Sequence, residues 1–416
     1  MATIRKQEKK TDAGRVLVDE QLESLESDIS RLYANASKEM REKSDAFLED
    51  YWRKDTKMRA RVEAGEITEE QLKSWRKGQA YQSEKMSAQV ADLTQTMLNA
   101  DKTAMAMVGD KIPDVYATSY NFAGYRGEKY AQAVGRDYTS FTIYNREAVK
   151  QLVKGDPDLL PPKVDIPKDE RWNRQHIQNA IAQGIVQGEP VNDIANRLMA
   201  VTTMDENAAL RNARTAVNGI ENKARHDATE QLKEDGIPMV YTWSATHDGR
   251  TRESHVLLDG QHPDENGYFE NGLRYPADPD GDPAEVYNCR CLLLTEIEGI
   301  DHSKDDELYD QFMQENDYES WLALKENERL QANEQAFQKH KEEALAKRAE
   351  AEQLAKENAI TPDNAKLKDM QFSGKEEALE TLRGLSDEER AAWENAVNNT
   401  EYRINKSDRG NLEVGG

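Results

Sequence analysis

Cysteine is almost absent from this 416-residue chain, which holds only Cys289 and Cys291. They are too close in sequence for an ordinary structural disulfide, so a disulfide-stapled fold is excluded and a reducing compartment is expected. Hydrophobic residues are scarce as well: 37% of the chain, against 32% charged, with a mean hydropathy of −0.92. That shortage excludes three compact domains and leaves much of the chain as solvated helix, linker or disordered segment. No run approaches the ~18 apolar residues of a membrane helix. Met1 to Lys6 lacks the apolar core of a secretory signal, so the protein is expected to stay in the cell that makes it or in something assembled there. Positive charge is outnumbered, 56 Lys and Arg against 79 Asp and Glu, a net of −23. Binding nucleic acid through phosphates needs clustered Lys and Arg. The short basic run from Arg5 to Lys10 reads as a flexible tail, and no specific nucleic-acid binding is expected. Gly-rich phosphate-binding fingerprints ahead of a helix are also missing.

What remains is mostly helical text. Val18, Leu22, Leu25, Ile29, Leu32, Ala36 and Met40 form a narrow apolar stripe of coiled-coil spacing. Gly65 breaks it, and Thr68-Glu69-Glu70-Gln71 is a capping box that opens a helix carrying Leu72 and Trp75. A third stripe follows at Met86, Val90, Leu93 and Met97. The stripes call for these helices to pack on one another or on a partner; spacing alone does not choose, and packing within the chain is the default expectation. From Ile112 to Pro167 the pattern changes to clustered aromatics (Tyr116, Tyr120, Phe122, Tyr125, Tyr130, Tyr138, Phe141, Tyr144), read as core, and then to a linker around Pro157, Pro161, Pro162 and Pro167. Helix returns at Arg171 with Ile177, Ile181 and Ile185 and stops near Gly188. Pro190 opens the next one, through Ile194 and Leu198, and Asp205 reads as the N-cap of another that runs to about Lys233.

Strand text is confined to Met239–Trp243 and to the segment from Val286 to Ile297. Between them lie a turn at His247–Arg250, a short helix over Thr251–Leu258, and a loop rich in Gly, Pro, Asp and Asn. From Ser303 to Ala359 the chain is polar and helix-forming. Tyr309, Phe312, Tyr318, Trp321 and Leu324 anchor its start, and a solvent-exposed helix continues beyond Leu330. Ser386-Asp387-Glu388-Glu389 caps a short helix bearing Ala392, Trp393 and Val397, and the last residues read as unstructured. The predicted fold is mainly α with a small α+β domain. It has a helical N-terminal region (1–167), a loop-rich Cys-containing α+β domain (168–300), an extended acidic C-terminal helix (301–360), and a short helix with a flexible tail (361–416).

The informative constellation is Trp243, Asp248, Arg250, Arg252, His255, Asp259-Gly260, Tyr275-Pro276, Asp278-Pro279 and Asn288-Cys289-Arg290-Cys291. Two readings of it stand open. His255, Cys289 and Cys291 are candidate ligands of a structural zinc, with Asp248 or His262 as the fourth, in a segment with little core of its own. Alternatively, Arg250, Arg252 or Arg290 pairs with Asp248 or Asp259 and the cysteines are buried as small apolar groups. A metal-dependent hydrolase built on His255, Asp248, Cys289 and Cys291 is the alternative function. The chain is otherwise expected not to be an enzyme.

In their order these residues resemble the phage Mu F-type head-morphogenesis family of minor capsid proteins. The matching pieces are Ala213-Arg214-Thr215, Trp243, the Asp248 to His255 segment with Arg250 and Arg252, Asp259-Gly260, Pro276 and Asn288-Cys289-Arg290-Cys291. The resemblance covers about residues 171 to 298. It implies a structural and assembly role in the head of a tailed bacteriophage. The implied partners are the portal protein and the major capsid or scaffold protein. The implied location is the virion, in the capsid interior, with the host cytoplasm during assembly, and some members are thought to aid genome ejection. Some members of the wider family are fused to toxin domains. Arg214-Thr215 superficially suggests an ADP-ribosyltransferase arginine, but it lies in helical text without a paired-Glu motif downstream, and that reading is rejected.

Overall fold

The computed structural model describes residues 12–133, 135–155, 168–297, 317–357, 371–372, 383–387, 403–406 and 412–415. The architecture is mainly α with a small two-stranded sheet, as the patterning predicts. Helix α1 spans Ala13–Glu63, with the Asp12 carboxylate accepting from the Arg15 backbone N–H at 3.1 Å. Helix α2, Glu69–Tyr81, begins with the predicted capping box. In it the Gln71 N–H donates to Thr68 Oγ1 at 3.2 Å, and the Thr68 N–H donates to Gln71 Oε1 at 2.8 Å. Helices α3 (Glu84–Ala133), α4 (Arg146–Gly155), α5 (Glu170–Gln187) and α6 (Val191–Glu234) follow. The apolar stripes meet inside the chain. Val18, Ile29 and Met40 share one buried cluster with Leu93, Met97, Ile177, Ile185, Val217 and Ile220.

Two helices run on where the sequence suggested a change. Helix α3 continues past Ile112, through an interior Pro113, to Ala133. A helix-interior proline costs about 3 kcal/mol. Tyr116, Tyr120, Phe122 and Tyr125 lie buried on the same helix, and each aromatic burial contributes roughly 1.5–3 kcal/mol, so the helix survives. Helix α6 likewise does not restart at Asp205, which lies inside it rather than capping it. The buried face from Leu198 through Val201 and Ala209 to Ala213 is continuous, and it outweighs the capping preference of one aspartate.

An ion network ties the start of α1 to α3 and α6. Asp12 pairs with Arg225 at 2.6 Å and Arg126 at 2.5 Å, while Glu221 pairs with Arg15 at 2.5 Å and Arg225 at 3.1 Å. Burial would push the Asp12 carboxyl up, but Arg225 and Arg126 hold it well below the usual carboxylate range.

Beyond α6 the chain forms β1 (Met239–Ser244), α7 (Glu253–Leu258), α8 (Pro283–Val286) and β2 (Leu292–Ile297). The strands pair antiparallel, from Met239 opposite Ile297 to Ser244 opposite Leu292. They carry a second, smaller core of Tyr241, Trp243, Leu258, Phe269, Leu273, Tyr275, Leu293 and neighbours. Helix α9 spans Asp317–Glu357. Tyr318 and Trp321 anchor its start as expected, with Trp321 Nε1 donating to Glu128 at 2.6 Å. Leu324 is not an anchor: it is 58% exposed. Residues 330–353 are exposed throughout.

The chain divides into two units, residues 1–326 and 327–416. In the second, β3 (Gln371–Phe372), β4 (Arg403–Lys406) and β5 (Leu412–Gly415) form an antiparallel sheet in the order β3-β5-β4. This corrects the unstructured ending read from the sequence, because strands of two to four residues carry too little alternation to be recognised. The basic run at Arg5–Lys10, the proline linker, Tyr309, Phe312 and the helix bearing Trp393 lie outside the described residues.

Candidate metal centre and its clasp

His255 stands on the one and a half turns of α7, and Cys289 and Cys291 flank the entry to β2. The fold brings all three together. His255 Nδ1 is 3.4 Å from Cys291 Sγ and 3.7 Å from Cys289 Sγ, and all three side chains are buried. Their ligand atoms lie within 4.8 Å of one another. The far nitrogen of the imidazole, Nε2, is 2.8 Å from Glu285 Oε2 on α8. With the proton on Nε2 directed to Glu285, the Nδ1 lone pair faces the sulfurs, which is how a carboxylate orients a metal-binding histidine. Burial opposes the Glu285 charge, but hydrogen bonds from Ser254 and Asn271 and the nearby His255 hold its carboxyl below the ordinary value. Trp243 meets the imidazole edge-on, ring centroids 5.1 Å apart, and Phe269 in turn packs on Trp243 at 5.0 Å.

The cysteines act on each other. The hydrogen bond from Cys289 lowers the Cys291 thiol well below its ordinary value, His255 adds to the effect, and the same pairing raises Cys289. Two sulfurs, one already inclined to thiolate, and an oriented imidazole form a donor set that fits zinc better than hard oxygen-seeking cations. Among the described residues these three form the whole cluster. Neither proposed fourth ligand joins it. His262 Nδ1 lies 2.7 Å from the Tyr241 carbonyl oxygen. Asp248 is gripped by Arg290 in a two-pronged fork at 2.5 and 2.8 Å. The hydrolase arrangement, which needed Asp248 beside His255, is therefore not assembled.

The remaining motif residues form the clasp. Arg250 joins the Asp248 pair at 3.4 Å, and Arg252 donates to the Tyr287 carbonyl. Asp259 accepts from the Ala245 N–H at 2.8 Å and faces His247 Nε2 at 2.7 Å. Asn288 takes a left-handed backbone (φ 58°), and its N–H donates to Thr215 Oγ1 on α6 at 3.1 Å. Arg214, the neighbour of Thr215, instead pairs with Glu26 of α1 at 2.5 Å. Polar pairing and a soft-ligand cluster thus coexist side by side.

Sequence reasoning missed Glu285 and Asn222. Asn222, buried on α6, donates to the Cys291 carbonyl at 3.1 Å and accepts from the Leu293 N–H at 2.7 Å, stitching helix to strand. An interior Asn in an apolar helix face was the available signal for it. Glu285 carries no comparable mark.

Residues 175–294 match the model of the family described as Phage Mu protein F like protein. The minor head protein of Bacillus phage SPP1 is 30% identical over 221 residues, which is 50% of this chain and 67% of that protein. An NAD(+)-arginine ADP-ribosyltransferase of Enterococcus faecalis is 30% identical over 164 residues, 38% of this chain and 33% of that protein. An uncharacterized protein of Haemophilus influenzae is 35% identical over 121 residues, 28% of this chain and 24% of that protein. No solved structure matches the chain. The transferase match overturns the expectation that the chain is no enzyme, because a protein named for catalysis is 30% identical to it over 38% of this chain. That expectation treated the lack of a legible catalytic motif as a lack of activity. Residues alone do not license that step, since catalytic geometry is assembled in space.

Proposed function

This chain belongs to the phage Mu protein F like family and serves phage head morphogenesis as a virion component, and we propose that it does so at the portal, inside the procapsid, and contributes there to genome ejection. The observation that supports this reading is the 30% identity across two thirds of a minor head protein. The region 168–300 is the family domain in this reading. Region 1–167 faces the portal or capsid, 301–360 is a polar helix, and 361–416 forms the end. A chain of net charge −23 is repelled by packaged DNA, and that repulsion favours a position at the portal or shell over one within the genome. Major capsid or scaffold protein is the second expected partner.

Within the family domain, His255, Cys289 and Cys291 would hold a structural zinc. Bound there, it would cross-link α7 to the entry of β2 in a segment with a small core, which is how metals stabilise loop-rich folds. Glu285 orients the imidazole, and Asn222 and Thr215 hold the cysteine loop to α6.

Co-expression with the portal protein of the same phage tests the placement. The chain is expected to co-purify with assembled portal at a fixed ratio. Portal that purifies alone from cells containing abundant soluble chain would remove the portal from the account.

A further inference from the structure

Beside the cysteine loop lies a groove of about 350 Å³ whose lining includes Arg211, Arg214, Arg250, Arg290, Asn288 and the edge of Cys289. Three separate segments supply its guanidiniums: α6, the turn before α7, and the loop entering β2. Gathering like charges costs Coulomb energy, and here the local acids only partly offset it. Glu26 pairs with Arg214, and Asp248 is shared by Arg290 and Arg250. Arg211 pairs with no acid among the described residues. Four guanidiniums against two carboxylates leave an excess of two positive charges, on a chain whose net charge is −23. Arg250 is 82% exposed and Arg214 50%, so the donors face solvent and are open to a ligand.

We propose that this groove is a docking site for a carboxylate-rich segment of a partner protein. Planar guanidiniums bind carboxylates two-pronged, and the volume suits one or two acidic side chains rather than a continuous polymer. Duplex DNA is the poorer fit. It carries a charge about every 1.7 Å along its axis, so a strand seated here would extend beyond the groove along a chain whose net charge is −23. The inference goes beyond the head-assembly reading and does not depend on it, since it is tested on the purified chain without any phage partner.

The test is fluorescence anisotropy of labelled hexaglutamate titrated with the full chain at low salt, repeated with an Arg211→Gln/Arg250→Gln double variant and with Arg171→Gln as an off-groove control. A short DNA duplex bearing the same label is run in parallel. Saturable peptide binding that weakens about ten-fold or more in the double variant and not in the control supports the site. Both groove substitutions are at exposed positions, and unchanged melting temperatures confirm that folding is intact. No saturable binding up to about 1 mM peptide, or equal binding by the double variant, overturns the proposal. Tighter binding of the duplex than of the peptide also overturns it and reassigns the groove to phosphates.

Discussion

At the residue scale, the strongest chemistry in the molecule is the meeting of His255, Cys289 and Cys291 within 4.8 Å. The purified chain is expected to carry about one zinc per molecule. Cys289→Ser with Cys291→Ser should remove it and lower the melting temperature by several degrees, since a few kcal/mol of cross-linking is lost. Metal-free wild type with the same melting temperature as the variant would refute the centre. A second residue, Asp205, makes a prediction about pH. Burial and the neighbouring Asp101 push its carboxyl up to about 8 from the ordinary 3.8, and neither of its oxygens has a hydrogen-bond partner. Between about pH 4 and pH 8 the folded chain holds a proton that the unfolded chain has released, so stability falls as pH rises through that window. Asp205→Asn should flatten the fall and stabilise the protein by about 1–3 kcal/mol at pH 8, with a smaller gain at pH 5, as read from urea unfolding at the two values. A larger gain at pH 5 would contradict the assignment. The grouping of His255, Cys289 and Cys291 was legible in the sequence because cysteine and histidine are rare and chemically distinct. Glu285 was not, because it is one of 79 acidic residues and only the fold shows which one faces His255.

At the scale of elements, periodicity carried the reading. The stripes of α1 and α3 and the capping box of α2 appear where spacing put them. The interruptions were misread because a proline or an aspartate is a local signal, while the burial that overrides it is spread along a whole face. Close packing between elements was invisible for the same reason. A methyl group on Gly124 of α3 would lie 2.0 Å from the Phe141 ring, whereas one on Gly109 would meet nothing within 4 Å. Gly124→Ala should therefore cost about 1–3 kcal/mol through overpacking. Gly109→Ala, in the same helix, should be neutral or stabilising by roughly 0.5–1 kcal/mol. Denaturation midpoints of the two variants check this, and equal effects would mean that Phe141 does not seat on α3 as described.

At the scale of the whole molecule, composition separated what can be core from what cannot. The apolar residues suffice for one large helical cluster and one small one around Trp243, and the exposed stretch of α9 follows from their scarcity beyond Leu330. The ordered motif from Arg214 to Cys291 pointed to the family, and the structure gives that order a physical cause: each of its members packs, pairs or hydrogen-bonds near the two strands or along α6. The enzyme question was not legible at this scale, as the match to a transferase makes plain. The central claim is that the chain is a component of the phage head, which we propose is built in at the portal during assembly. Quantitative mass spectrometry of procapsids purified from its phage tests it most directly. The chain is expected in every preparation, at a constant ratio to the portal protein. Procapsids that contain portal and major capsid protein but lack the chain would contradict it.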